Sequence, residues 1–219
     1  MKVKHDWNLD KSQAIELQGK LAKQVIKIDK YPKLNVVAGC DVSTKYNILW
    51  GAVVVLEYPS MKVLDKSFVK MNAQLQYIPG LLSFRESPII LKCYNNLKIK
   101  PDLMFVDGHG YSHPRHFGIA SHLGVYLNLP TIGCAKGILR GEIVLIDGVP
   151  YLDWKGEIVA GQIGESWISI GHRISLDTAM QLSNTVLGDR YPMPIEIAHK
   201  WANIFRKDSG NKDDFLENK

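Results

Sequence analysis

LMFVDGHGYSHPRHFGIASHLG, residues 103–124, changes period halfway through. It opens as an unbroken apolar run ending at Asp107, short enough for a buried strand. From Phe117 the residues FGIASHLGVYL read as a helix. PTIGCAK, residues 130–136, follows as another buried strand. Strand, helix, strand in that order is a crossover between parallel strands. Upstream lie three further strand-like runs, at 35–43, 49–58 and 62–71, the last two joined by PSM at 59–61 as a hairpin. A helical stretch at 84–97 leads from them to the quoted segment, and residues 98–101 stop it. The order β-β-β-α-β-α-β predicts an α/β chain whose mixed β-sheet carries helices on both faces.

Toward the N-terminus, Ala14, Leu17, Leu21, Val25 and Ile28 predict a helix over 11–28 with Asp10 as its cap. Toward the C-terminus, residues 141–171 look like further strands. Ser175 caps a helix to about Leu187, and 194–205 form a terminal helix. Residues 1–207 read as a single domain and 208–219 as a polar, flexible tail. With 46% apolar residues the 219-residue chain can bury a full core. It has no apolar run long enough for a membrane span and no basic-then-apolar leader, so the expectation is a soluble, cytoplasmic protein. Three separated cysteines, Cys40, Cys93 and Cys134, read as reduced core thiols. A net charge of +5 is mild support for a polyanionic partner.

Three acids fall where acids are uncommon. Asp41 interrupts the apolar first strand, Asp107 ends the fourth, and Glu86 opens the helix between them. If the crossover returns to the sheet centre, all three converge at one edge, and three carboxylates repel unless a cation sits among them. The hard, oxygen-liking ion that suits such a set is Mg²⁺, whose chemistry beside a basic surface is phosphoryl transfer. Each acid alone has a plainer reading: Asp107-Gly108 as a turn, Asp41 as a hydrogen-bonded core acid, Glu86 as a helix-dipole partner. Only their joint placement argues for a site. His109, His113, His116 and His122 have loop-like spacing without a cysteine, which disfavours structural zinc. Some of these histidines are expected at phosphate or substrate, and Lys136 is placed to meet a scissile phosphate. In YIPGLLSFRE, Pro79-Gly80 fits the middle of a type II turn whose aromatic and aliphatic tip is costly to expose: it either packs on the core or serves as a wedge entering a base stack.

AGCDVS, YIPGLLSFRE, PDLMFVDGHGYSHPRHFGIASHLG, PTIGCAKG and GHRISLDTA together resemble the endonuclease V family, in family order from about residue 35 to residue 205. The resemblance implies an RNase H-like fold and hydrolysis of the second phosphodiester bond 3′ to a deaminated base, chiefly hypoxanthine. The products would carry a 3′-hydroxyl and a 5′-phosphate, and Mg²⁺ or Mn²⁺ would be the cofactor. Carried residue by residue, Asp41, Glu86 and Asp107 become the metal acids, and Lys136, His113 and His172 join them as catalytic groups. Tyr77 becomes the wedge. Lesion binding extends over Ile78, Pro79, Gly80, Leu82, Gly108, His109 and Gly110, with main-chain groups at the glycines reading the base. The implied partner is DNA containing deaminated bases, with inosine-containing RNA as the alternative, acted on by a monomer. His116 and the C-terminal tail receive no role.

Overall fold

A strand covered on both faces needs no polar alternation, and residues 49–56, all eight buried, have none. They form the body of one strand in a computed structural model that describes residues 5–213. In chain order the elements are α1 (Lys11–Ala22), β1 (Val36–Lys45), β2 (Ile48–Glu57), β3 (Val63–Asn72), α2 (Leu82–Asn96), β4 (Leu103–Asp107), α3 (Ile119–Leu127) and β5 (Thr131–Ala135). There follow β6 (Glu142–Ile146), β7 (Val149–Trp154), β8 (Glu157–Ile163), β9 (Ser166–His172), α4 (Leu176–Thr185) and α5 (Met193–Asp213).

All nine strands join one sheet in the order β3-β2-β1-β4-β5-β9-β8-β7-β6. The pairs β1/β4 and β4/β5 are parallel and the rest antiparallel, the mixed sheet that the sequence predicts. Period-two alternation then splits the core. Ala38, Cys40, Met104 and Val106 point toward α2 and α3, whereas Val37, Phe105, Ile132 and Ile168 pack with α4 and α5. The three cysteines are buried and free. Truncating a buried residue such as Phe105 costs about 3–5 kcal/mol.

Two features of this core position the site. The parallel register sets Cys40 opposite Val106, so Asp41 and Asp107, the next residue on each strand, emerge side by side. Gly39 lets α5 close on β1: a Cβ there would lie 1.8 Å from the carbonyl oxygen of Pro194. The first turn of α5 is thereby seated on the strand that carries Asp41.

Two boundaries differ from expectation. α1 ends at Ala22 instead of 28, because the following backbone is claimed by β9: Ile26 N–H donates to His172 Nδ1 (3.2 Å), Arg173 N–H to the Ile26 carbonyl (2.7 Å) and Lys30 N–H to the Arg173 carbonyl (3.0 Å). Apolar spacing persists through this strap, but Ile28 is exposed. α5 continues eight residues beyond 205, as helix into the expected tail; Trp50 Nε1–H donates to Ser209 Oγ at 2.5 Å. The rest of that tail, 214–219, lies outside the described residues. No helix among the described residues is long and apolar enough to cross a membrane.

Candidate active site

At the end of the sheet where β1 and β4 deliver their acids, a cleft of about 350 Å³ is lined by Asp41, Glu86, Asp107, Gly108, Lys136 and His199, among others. β5, next to β4, releases Lys136 just past its last residue, and Lys136 Nζ sits 2.5 Å from Asp107 Oδ2. From the other face, α5 brings His199, whose Nδ1 lies 2.8 Å from Asp41 Oδ2. Asn203, one turn on, holds the far ring nitrogen at 3.0 Å. One ligand atom each from Asp41, Asp107 and His199 can be chosen so that all lie within 4.8 Å of one another.

The electrostatics of this cleft are short of positive charge. Burial, then the charges of Asp41 and Asp107, push Glu86 up to about 8. Burial and Asp41 raise Asp107 to about 6 although Lys136 pulls the other way. Asp41 moves down: burial opposes its ionisation, but the His199 hydrogen bond and Lys136 outweigh it. All three acids can ionise together near neutral pH only if more positive charge enters. Two carboxylates and an imidazole converging at this spacing fit a divalent cation.

A smaller cavity, about 210 Å³, adjoins the cleft and shares Leu82 with it. Gln18, Tyr77, Gly80, His109 and His113 contribute to its wall. Below the roughly 300–1,000 Å³ of ordinary ligand pockets, it has room for a single planar base. The turn at its rim is the expected type II: Leu81 N–H donates to the Ile78 carbonyl at 2.9 Å and Gly80 has φ 79°. Of the tip's large side chains, Tyr77 stands well out, 62% exposed beside an exposed Pro79, whereas Leu81 is buried and Ile78 packs with it against Phe84. Gly80's carbonyl accepts from Arg115 Nη2 (2.7 Å) and Gln18 Nε2 (3.1 Å) and faces His113 Nε2 at 3.1 Å.

The structure therefore brings Asp41, Glu86, Asp107, Gly108 and Lys136 together in the cleft, and Tyr77, Gly80, Leu82 and His109 around the cavity, with Leu82 common to both. Other expectations change. His113 belongs to the cavity wall, and burial, reinforced by Arg115, lowers it to about 3, so it is neutral and brings no positive charge to a phosphate. His172 is not in the site at all: it pairs with Thr131 on β5, three residues back from Cys134, the partner of Asp107, or about 10 Å along the strand. Gly110 seats the loop on β9, its N–H donating to Ser169 Oγ (3.0 Å), where a Cβ would meet the Ile170 carbonyl oxygen at 2.1 Å. Pro79 borders a separate hollow with Arg115 and Arg140. Glu86 lines the cleft without belonging to the tight three-atom group.

His199 was not anticipated from the sequence. Its signal was a polar residue beside the buried stripe Ile195, Ala198 and Ala202, four positions after the first of these. His116, left without a role, stacks on Tyr111 with ring centroids 4.3 Å apart.

Comparison with known proteins agrees with this geometry. A family model described as Endonuclease V matches residues 19–200. The endonuclease V of Gloeobacter violaceus is 43% identical over 219 residues, covering 93% of this chain and 89% of its own length. Among solved structures, endonuclease V from Streptomyces avermitilis superposes with a TM-score of 0.86 at 29% identity, covering 95% of this chain and 98% of that one. The Ciona intestinalis endonuclease V, in complex with a 24mer DNA containing an inosine followed by a ribo-adenosine, gives a TM-score of 0.78 at 27% identity over 90% of this chain and 98% of its own. The sheet described above is the RNase H-like fold of these structures.

Proposed function

The chain belongs to the endonuclease V family, and from that premise we propose that it is a divalent-cation-dependent endonuclease for deaminated bases, chiefly the hypoxanthine of deoxyinosine, cutting the second phosphodiester bond on the 3′ side. The products carry a 3′-hydroxyl and a 5′-phosphate, and the nick initiates DNA repair by a cytoplasmic monomer. One observation carries the reading: a cavity of base size, rimmed by an exposed tyrosine, abuts an acid cleft through the single residue Leu82.

Tyr77 fills the space that the base leaves in the stack, lowering the cost of turning it out. His109, kept neutral by burial and held at Nδ1 by Ser112, can donate or accept a hydrogen bond toward the base edge through Nε2, as can main-chain groups near Gly80. His113 instead spends both ring nitrogens on the rim, Nδ1 accepting from Arg115 N–H and Nε2 bonding the Gly80 carbonyl. Seating the base fixes how far along the strand the cleft lies, and so which phosphate it meets. There Lys136 offsets phosphate charge. Asp41, Asp107 and His199 would hold the cation, with Glu86 alongside, and Mg²⁺ or Mn²⁺ in that position would orient the water and stabilise the departing oxygen. The ribo-adenosine in the strand bound by the Ciona protein favours one second reading, an endoribonuclease acting mainly on inosine-containing RNA.

End-labelled DNA and RNA strands with one inosine, and inosine-free controls, test both readings with Mg²⁺ and with EDTA. We expect a metal-dependent nick one nucleotide beyond inosine, stronger on DNA and lost in Asp107→Ala, while that variant still binds. A nick favouring RNA would select the second reading. Cutting indifferent to inosine would remove base recognition, and normal cutting by Asp107→Ala would remove the metal assignment.

A further inference from the structure

A third hollow, of about 390 Å³, opens on the other side of the acid cleft and shares Lys136 and His199 with it. The three spaces form a path. Leu82, on α2, joins the base cavity to the cleft; His199, on α5, joins the cleft to the third hollow. Since α2 and α5 cover opposite faces of the sheet, the path crosses the sheet's end. A strand with its lesion in the cavity and its scissile phosphate in the cleft must continue, in the 3′ direction, into the third hollow.

That hollow has a rigid wall. Glu196 on α5 accepts from the backbone N–H groups of Arg190 (2.8 Å), Tyr191 (2.9 Å) and Asp189 (3.4 Å). The Arg190 carbonyl accepts from Glu165 N–H (2.7 Å), and its guanidinium pairs with the Glu165 carboxylate. Held from both sides, the loop presents a half-buried Tyr191, with Lys136 Nζ 5.5 Å from its ring centroid. Arg190 is already matched by Glu165, whereas Lys200 is exposed on the same wall. An aromatic face with a lysine beside it is how single strands are held without sequence preference: a base stacks and an ammonium meets the backbone.

The geometry points to a binding subsite for the second nucleotide 3′ of the lesion, the one that acquires the new 5′-phosphate, with Tyr191 as its stacking platform and Lys200 at its backbone. This subsite rests on the strand direction in the functional reading above. It makes cutting depend on a base that lies beyond the broken bond.

The test pairs each enzyme with two inosine strands, one intact and one abasic at that second nucleotide, with an adenosine strand as control. Wild type should lose about 5- to 150-fold in kcat/KM on the abasic strand, the range that base–aromatic stacking supplies. Tyr191→Ala should show that loss on the intact strand and no further loss on the abasic one, and Tyr191→Phe should restore the preference. The ratio between strands is immune to a general loss of folded enzyme. Lys200→Ala should weaken both strands alike and reduce the salt dependence by about one phosphate contact. Equal sensitivity of wild type and Tyr191→Ala to the missing base would overturn the platform, and an unchanged salt slope would remove Lys200. Wild type that cuts adenosine and inosine strands alike would overturn the functional reading, and the subsite's place beside the lesion with it.

Discussion

At the scale of single residues, the rim of the proposed base cavity converges on one carbonyl. Gly80 turns the chain with φ 79°, and its oxygen collects the Arg115 and Gln18 donors while Arg115 Nε donates to Gln18 Oε1 at 2.7 Å. Gln18 is fully buried on α1, so a helix distant in sequence fixes the rim from which Tyr77 projects. Gly80→Ala should cost about 1–2 kcal/mol, from the left-handed backbone and from a Cβ 2.8 Å from Arg115 Nη2. Urea unfolding should show that loss and steady-state kinetics a raised KM for inosine strands; unchanged values for both would mean that the turn does not set the rim. Pro79-Gly80 was legible in the sequence because a type II turn is a local device. Asp41 and Asp107 were legible because acids at those points of apolar strands needed a reason. His199 was not, since its meaning depends on Asp41, 158 residues away, and on α5 closing over Gly39.

At the scale of elements, strands were easier to read than helix ends. The apolar runs of β1, β2, β4 and β5 are continuous because both faces are covered, and their order alone implied a mixed sheet. α1 was overextended because spacing cannot see that β9 takes the backbone after Ile26. The start of α5 shows a different dependence: Glu196 reaches back to three amides of the loop before it, bonds that hold the Tyr191 wall. Those amides keep Glu196 below the usual carboxylate range even though burial works against them. The stabilisation is present above the unfolded pKa and lost as pH falls through the lowered folded one. Glu196→Gln removes the charge and should free the loop. Amide hydrogen exchange at Arg190 and Tyr191 should accelerate at least severalfold, with β4 amides unaffected; unaltered exchange would mean that Glu165 holds the loop alone.

At the scale of the whole molecule, the strap at 26–30 ties α1, and with it the base cavity, to the far end of the sheet. His172 is the hinge of that tie, away from the residues that line the acid cleft. Burial, aided by Arg173, lowers His172 to about 4, and its unprotonated Nδ1 accepts from Ile26 N–H. Because the folded pKa lies below the unfolded value of about 6.5, the unfolded chain binds more protons between the two. Stability from this residue is therefore complete above about 6.5, is lost as pH falls toward 4, and changes little below. Glu86 and Asp107, raised to about 8 and about 6, act in the opposite sense, so the parent's stability curve mixes both. His172→Gln isolates the histidine: glutamine offers Ile26 an acceptor that does not titrate. The variant should be somewhat less stable than the parent at pH 7.5, and the gap should narrow or reverse by about 1–2 kcal/mol at pH 4.5, after allowance for partial solvation of the ring. Urea midpoints at the two pH values measure it. A gap that stays constant would mean that His172 titrates normally and that the strap is held by its bonds to Arg173 and by Asp29, which accepts from Ser175 and Thr178.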